Sequence, residues 1–319
     1  MRARGLFAAL SLLALAACDA SRLAPRETGT LPQARPAAMG GAGAAGRETP
    51  SAASLALAQY YRRVQADLLA RGLLRTDGGG PDTPITDTML ARDFENIALT
   101  EEYVRGAGLR PGDGGLGRIK KWTKPVRVVA EFGPSVPAEQ RSADRAALAR
   151  FTDRLARATG HRIGMSAAGA NFHVLFMGED DRALIQPRIR ALVPDVDQAS
   201  LAIFDRLPRD IHCLVIAFAD RPGGYSYDRA IAVIRAEHPD LLRRACIHEE
   251  MAQGLGLAND SPQARPSIFN DDDEFALLTT HDEYLLRILY DPRLTPGMRA
   301  EEARPIVRSL AEQLVGGSS

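Results

Sequence analysis

The sequence predicts an α+β domain in which a mixed, twisted sheet packs on helices. From residue 126 onward, short apolar or alternating segments recur that are each long enough for one strand. Longer segments with apolar residues at helical spacing lie between and after them. The composition agrees with this class, because 45% hydrophobic and 25% charged residues in a chain of 319 suffice for one or two cores.

The N-terminal residues 1–17 are predicted to be a lipoprotein signal peptide. A basic start, "MRAR", precedes an apolar run that is too short to cross a bilayer comfortably. The run ends in "LAAC", which resembles the bacterial lipobox and implies cleavage before Cys18 and lipidation of that cysteine. Asp19 resembles an inner-membrane retention signal. We therefore expect a protein of the cell envelope that is anchored by lipid at the periplasmic face; the alternative is an ordinary signal peptide with an unrelated cysteine.

The remaining elements follow in order along the chain. Residues 18–50 are rich in Ala, Gly and Pro and predict a flexible tether, and 51–89 predict a helical N-terminal segment. The main domain is assigned to 90–300, and 301–319 to a C-terminal helix and tail. Within the domain the patterns predict strands at 126–133, 171–177, 212–219 and 229–236, and helices at 138–160, 239–256 and 279–290.

Two of these segments carry more specific predictions. The apolar run 212–219 is nearly unbroken and is typical of a buried strand. Thr280 and Glu283 have the spacing of a capping box at the start of a helix.

The net charge indicates which partners to expect, and the cysteine content indicates whether a disulfide forms. Lys+Arg and Asp+Glu both number 40, so the formal net charge is zero, and no nucleic acid is expected as a partner. If Cys18 carries lipid, Cys213 and Cys246 remain. An even pair in an oxidising compartment predicts one disulfide, and the alternative is two buried thiols.

The helix predicted at 239–256 contains the most informative residues. Leu242, Cys246, Glu249, Gln253 and Leu257 share one face because they are spaced by three or four residues. A buried Glu beside a Gln is costly unless something satisfies it, which favours a site. The alternative is an ordinary solvated face.

The same segment resembles the H-E-x-x-H-x-x-G-x-x-H motif of the metzincin metalloproteases when it is aligned on Gly256. The resemblance implies that Glu250 occupies the general-base position, while Glu249, Gln253 and Asn259 replace the three histidine ligands. Downstream, "SIF" resembles the Met-turn, with Phe269 in place of the methionine. A metzincin or zincin-like fold with an active-site-like helix is the implied architecture.

A closer match is to a bacterial exported family. The segments "EEMAQGLGLANDS", "SIFNDD" and "LLRILYDPRLTPGM" resemble the family called domain of unknown function 2927, over residues 90 to 300. That family is grouped with zinc-peptidase-like folds and has no settled activity, so the resemblance implies a fold more strongly than a reaction.

The residues at the three ligand positions determine which metal, if any, the site could bind. Zinc prefers nitrogen and sulfur donors, and neutral amides are poor ligands, so a metzincin zinc site is not expected. A divalent metal stays a candidate cofactor through Glu249, Gln253 and Asn259, with Asp260 or His281 as further donors.

His248 points about 100° away from Glu249 and is interpreted as a satisfied or surface histidine. The acidic run 270–274 is either a hard-cation site or a solvated loop.

Three functions remain open at this point. The first is a non-catalytic binding module for a peptide or an envelope component. The second is an atypical metal-dependent hydrolase of peptidase type, with Glu250 as general base. The third is a purely structural envelope lipoprotein.

Overall fold

A computed structural model of the chain describes residues 49–100, 112, 114–205, 207–270 and 272–316. The predicted signal peptide, Cys18, Asp19 and all of the tether except residues 49 and 50 lie outside the described residues. In the part of the chain that is described, no helix combines the length and the apolar character that a membrane crossing requires.

The described chain contains eight α-helices and six strands. In chain order they are α1 (Ala52–Ala70), α2 (Asp87–Ala98), β1 (Lys121–Trp122), β2 (Val126–Phe132), α3 (Ala138–Thr159), β3 (Ile163–Met165), β4 (Phe172–Met177), α4 (Arg182–Leu192), α5 (Gln198–Ala202), β5 (Cys213–Ala219), β6 (Ser226–Arg235), α6 (Asp240–Leu255), α7 (Thr280–Leu289) and α8 (Ala300–Gly316).

The strands form one mixed sheet. β3, β2, β4 and β6 lie side by side and parallel, β1 pairs in parallel with the start of β6, and β5 pairs antiparallel with β6. Helices pack against both faces: α3 and α6 belong to the larger core, while α4 and α5 cover a smaller one. This arrangement confirms a mixed sheet packed with helices, as an α+β class requires.

The apolar run at 212–219 forms the expected strand, but the prediction that it is buried was wrong. Every residue of β5 is half-buried, and among the described residues β5 pairs only with β6, so it lies at the sheet edge. The run is apolar because its two faces are both in contact with core. Val215 and Ala217 pack on the larger core, and Leu214 and Ile216 on the smaller one.

The capping box of α7 lies one residue earlier than predicted. Thr279 is the N-cap: its hydroxyl accepts a hydrogen bond from the Asp282 backbone N–H at 3.2 Å, and the Asp282 carboxylate accepts from the Thr279 N–H at 2.9 Å. Thr280, in contrast, is exposed. The shorter aspartate therefore closes the box that the sequence pattern assigned to Glu283.

Glycine and two aromatic side chains fix the C-terminal end of α6. A Cβ on Gly254 would lie 2.5 Å from the Phe172 ring, so the helix approaches the sheet closely there. The Trp122 indole N–H donates to the Gly254 carbonyl at 2.8 Å, and the Tyr290 hydroxyl donates to the Leu255 carbonyl at 2.9 Å. These bonds satisfy carbonyls that a helix end leaves without intrahelical partners.

Candidate functional site

Helix α6 is anchored at its N-terminal half by a buried ion pair. The Arg243 guanidinium lies 2.9 Å from the Asp144 carboxylate of α3, and both side chains are almost fully buried. Burial raises the pKa of Asp144 more than the arginine lowers it. A buried pair of this kind fixes the position of the helix, because removal of one partner leaves a buried charge unpaired.

A disulfide joins α6 to the sheet edge. Cys213, the first residue of β5, is bonded to Cys246, which lies one helical turn before Glu249 and Glu250. The bond therefore holds the carboxylate-bearing turn of α6 against the start of the edge strand.

The two adjacent glutamates have different environments. Glu250 is 3% exposed, whereas Glu249 is half-buried, with a carboxylate oxygen 4.0 Å from the Cys213 sulfur. Among the described His, Cys, Asp and Glu residues, one group of three or more has potential ligand atoms that all lie within 4.8 Å of one another: Cys213, Glu249 and Glu250. The sulfur of Cys213 is already bonded to Cys246 and is not a thiolate, so only the carboxylates remain as strong donors.

The two amide residues of the motif contribute to the turn after α6. The Asn259 side-chain N–H group donates to the backbone carbonyls of Asn96 at 2.9 Å and Asp260 at 2.7 Å. The Gln253 amide nitrogen lies 3.5 Å from the Asp260 carboxylate. Neutral amides are poor zinc ligands, and this donor set therefore does not fit a metzincin-type zinc ion.

Gly256 ends the helix in a conformation that other residues rarely adopt. Its φ is +126°, and a Cβ at this position would lie 2.3 Å from the Lys120 carbonyl oxygen. The glycine is thus required both by the backbone angle and by the close approach of the neighbouring chain.

The segment "SIF" forms a turn that is tied to α7. Phe269 is fully buried; its N–H donates to the Ser267 hydroxyl at 3.1 Å, and its carbonyl accepts from the Ser261 N–H at 2.7 Å. The Ser267 hydroxyl in turn donates to the Asp282 carboxylate at 2.6 Å. The capping box of α7 therefore also positions the turn.

The two histidines considered as additional ligands have structural roles. His248 stacks on the Phe151 ring, its Nδ1 accepts from the Leu278 N–H at 3.0 Å, and burial lowers its pKa to about 3. His281 is fully buried between the carboxylates of Asp93, 3.2 Å away, and Asp282, 3.7 Å away. Burial lowers the pKa of His281, but these two carboxylates outweigh it and raise the pKa to about 9.

One carboxylate of the acidic loop after the turn, that of Glu274, is committed to two arginines. The Glu274 carboxylate lies 2.5 Å from Arg265 and 3.0 Å from Arg75, and these arginines hold its pKa below the usual range. Asp272 and Asp273 are exposed, and Asp271 lies outside the described residues.

A cleft of about 640 Å³ opens beside the carboxylate-bearing turn of α6. Its lining includes Glu249 and both cysteines but does not include Glu250. The other walls are residues 210–212 before β5, one face of α1 and the loop that contains Ile268 and Phe275. A volume of this size is in the range of ligand-binding pockets.

Sequence reasoning missed the contribution of α1 and of the segment before β5. On α1, Tyr60, Arg63 and Asp67 line the cleft, and their spacing of three and four residues places them on one face. Asp210 and His212 lie just before the edge strand. The helical spacing was visible in the sequence, but nothing in the sequence indicated that this face packs across from α6.

Fold and site together define a mixed α/β domain with a carboxylate-bearing helix beside a cleft. A family model described as "Protein of unknown function (DUF2927)" matches residues 87–309, which is more than half of the 319-residue chain. The chain therefore belongs to this family of unknown function. No curated protein and no solved structure matches it significantly.

Proposed function

We propose that the chain is an exported, membrane-anchored lipoprotein whose domain has a metalloprotease-like frame and acts as a non-catalytic binding module. The recognised partner is a peptide or a peptide-bearing envelope component. One observation carries the proposal. Glu250, at the motif's general-base position, is 3% exposed and does not line the cleft, whereas its neighbour Glu249 lines the cleft. A general base must come within hydrogen-bond reach of its substrate or of one bridging water.

The roles of the exchanged residues support the same interpretation. Asn259 uses its amide to hold the turn after Gly256, and the disulfide fastens the turn of α6 that carries the glutamates. Both features stabilise the walls of a preformed cleft. Preformed, concave sites lose little entropy when a ligand binds.

The edge strand supports a peptide as the partner. In the described part of the chain, the backbone of β5 pairs with β6 alone, and Cys213 at its start lines the cleft. An unpaired strand edge beside a cleft suits an extended peptide, because main-chain hydrogen bonds add affinity while the cleft selects a side chain.

Complementation with isosteric variants tests the proposal. In cells that lack the gene, Glu250→Gln is expected to restore function. The substitution removes the carboxylate that a general base would need, but it changes no residue that lines the cleft. Glu249→Gln is the matched variant, since it changes the neighbouring carboxylate that faces the cleft. Loss of function in a stably folded Glu250→Gln protein, with Glu249→Gln unaffected, would overturn the binding-module proposal.

A metal-dependent hydrolase is the second candidate function. One observation favours it: carboxylate oxygens of Glu249 and Glu250 lie within 4.8 Å of one another. Peptide hydrolysis by the purified protein that is lost in Glu250→Gln would establish this alternative.

The lipid anchor is tested separately. If Cys18 is lipidated, the wild-type protein is expected in the membrane fraction and the Cys18→Ala variant in the soluble or unprocessed fraction. Mass spectrometry of the mature N-terminus distinguishes lipidation from an ordinary signal-peptide cleavage.

A further inference from the structure

The charges that line the cleft are strongly unequal. Among the described residues that line it, one is a lysine or arginine and five carry carboxylates: Arg63 against Asp67, Asp210, Glu249, Asp260 and Asp273. The whole chain has as many basic as acidic residues. The acidic excess is therefore a local property of the cleft rather than a consequence of composition.

The chemistry of the wall suits a cation with an apolar stem. The apolar and aromatic residues Tyr60, Leu74, Ile268 and Phe275 line the same cleft as the carboxylates. Lysine and arginine side chains bury their methylene stems on apolar surface while their charged ends stay polar. Burial lowers the pKa of His212, which favours its neutral form.

The chain's own arginines show that aromatic residues in this wall accept guanidinium groups. Arg209 lies 4.7 Å above the Tyr60 ring, and Arg75 lies 4.7 Å above the Phe275 ring, so both cations lie beside this wall although neither lines the cleft. Such contacts are favourable because the face of an aromatic ring is electronegative.

We propose that the cleft recognises an extended peptide segment through a lysine or arginine side chain, which enters between α1 and α6. This inference rests on the proposed binding function and adds the substrate class. The peptide backbone follows the outer edge of β5 beyond the cleft. Charge complementarity selects the occupant, because an acidic side chain in the same place would meet several like charges.

Two short fluorescent peptides test the charge preference. One alternates valine with lysine and the other valine with glutamate, and fluorescence anisotropy reports binding to the purified domain with its disulfide intact. The lysine peptide is expected to bind about tenfold more tightly at low salt, and added salt is expected to reduce the difference. Equal binding of both peptides would overturn the charge preference and leave the binding function standing. Binding of neither would overturn both.

Charge-neutral variants locate the interaction. Asp67 and Asp210 are exposed, so Asp67→Asn and Asp210→Asn are expected to fold normally. Each should weaken lysine-peptide binding roughly threefold, and the double variant about tenfold, with the glutamate peptide unaffected or improved.

Asp153→Asn is the matched control, because Asp153 is exposed on α3 and does not line the cleft. An equal loss in the control variant, or no loss in the double variant, would show that the cleft is not the binding surface.

Calcium chloride alone is the remaining probe. Saturable calorimetric heat that disappears in Glu249→Gln would reassign the cleft to a hard cation and overturn the peptide assignment.

Discussion

At the scale of single residues, Gly256 shows how a short motif can determine a structure without determining a reaction. Its φ of +126° and the Lys120 carbonyl beside it leave no room for a side chain. The turn that follows Gly256 leads to Asn259, whose amide donates to two backbone carbonyls and closes the turn. The turn is thus held by a glycine and an amide, neither of which needs a metal for this role.

Gly256→Ala is expected to lower the free energy of unfolding by about 3 kcal/mol, because it adds backbone strain and a steric clash. Urea denaturation measures the change. Gly160→Ala is the matched control: Gly160 also has a positive φ, of 66°, but a Cβ there would have no neighbour within 4 Å. The control substitution should lower the free energy of unfolding by only about 1 kcal/mol. Equal costs at both positions would show that the contact with Lys120 is unimportant.

His281 makes a pH-dependent contribution to stability. Its pKa of about 9 in the folded state lies above the usual histidine pKa of 6.5, which applies when the chain is unfolded. The contribution is therefore complete below pH 6.5 and is lost as the pH rises through about 9.

The stability advantage of the wild type over His281→Gln is expected to shrink by roughly 2 to 3 kcal/mol between pH 6 and pH 9. Comparison with the variant cancels the contribution of Lys121, whose pKa burial lowers to about 8. Denaturant unfolding at both pH values measures the difference. A constant difference would mean that His281 is not charged between Asp93 and Asp282.

At the scale of elements, α6 is held by contacts from several directions. The disulfide joins it to β5, the ion pair of Arg243 and Asp144 joins it to α3, and Trp122 bonds to its last turn. These contacts come from residues far apart in sequence. They hold one wall of the cleft in place.

The disulfide is expected to contribute about 3 to 4 kcal/mol, because it closes a loop between cysteines 33 positions apart. The Cys213→Ala and Cys246→Ala double variant should lose this stability in urea denaturation. Reductant should destabilise the wild type by a similar amount and leave the double variant unchanged. If reductant affected both proteins equally, the stabilisation would arise elsewhere.

At the scale of the whole molecule, the sequence predicts local structure better than it predicts the site. The helix at 138–160 has a clear period and a glycine stop, and it is found as α3 with Gly160 as its left-handed cap. The edge position of β5 could not be read from its apolar pattern, because contacts on two faces give the same pattern as full burial. Likewise, the distance of α1 from α6 depends on tertiary packing that no local pattern encodes.

The same limit applies to the residues at the ligand positions of the motif, Glu249, Gln253 and Asn259. Their spacing was visible in the sequence, and so was the fact that neutral amides bind zinc weakly. What the spacing could not show is that Glu249 and Glu250, although adjacent, have different exposure, or that Asn259 is committed to two backbone carbonyls. Side-chain direction and partners depend on neighbouring elements, which the motif does not contain.

The metal content of the saturated protein tests the central claim most directly. Purified protein with an intact disulfide would be equilibrated with zinc, separated from free metal and measured by elemental mass spectrometry. We predict much less than one equivalent of zinc, with no difference between the wild type and a Glu249→Gln, Glu250→Gln double variant. One tightly held equivalent in the wild type that is absent from the double variant would contradict the account.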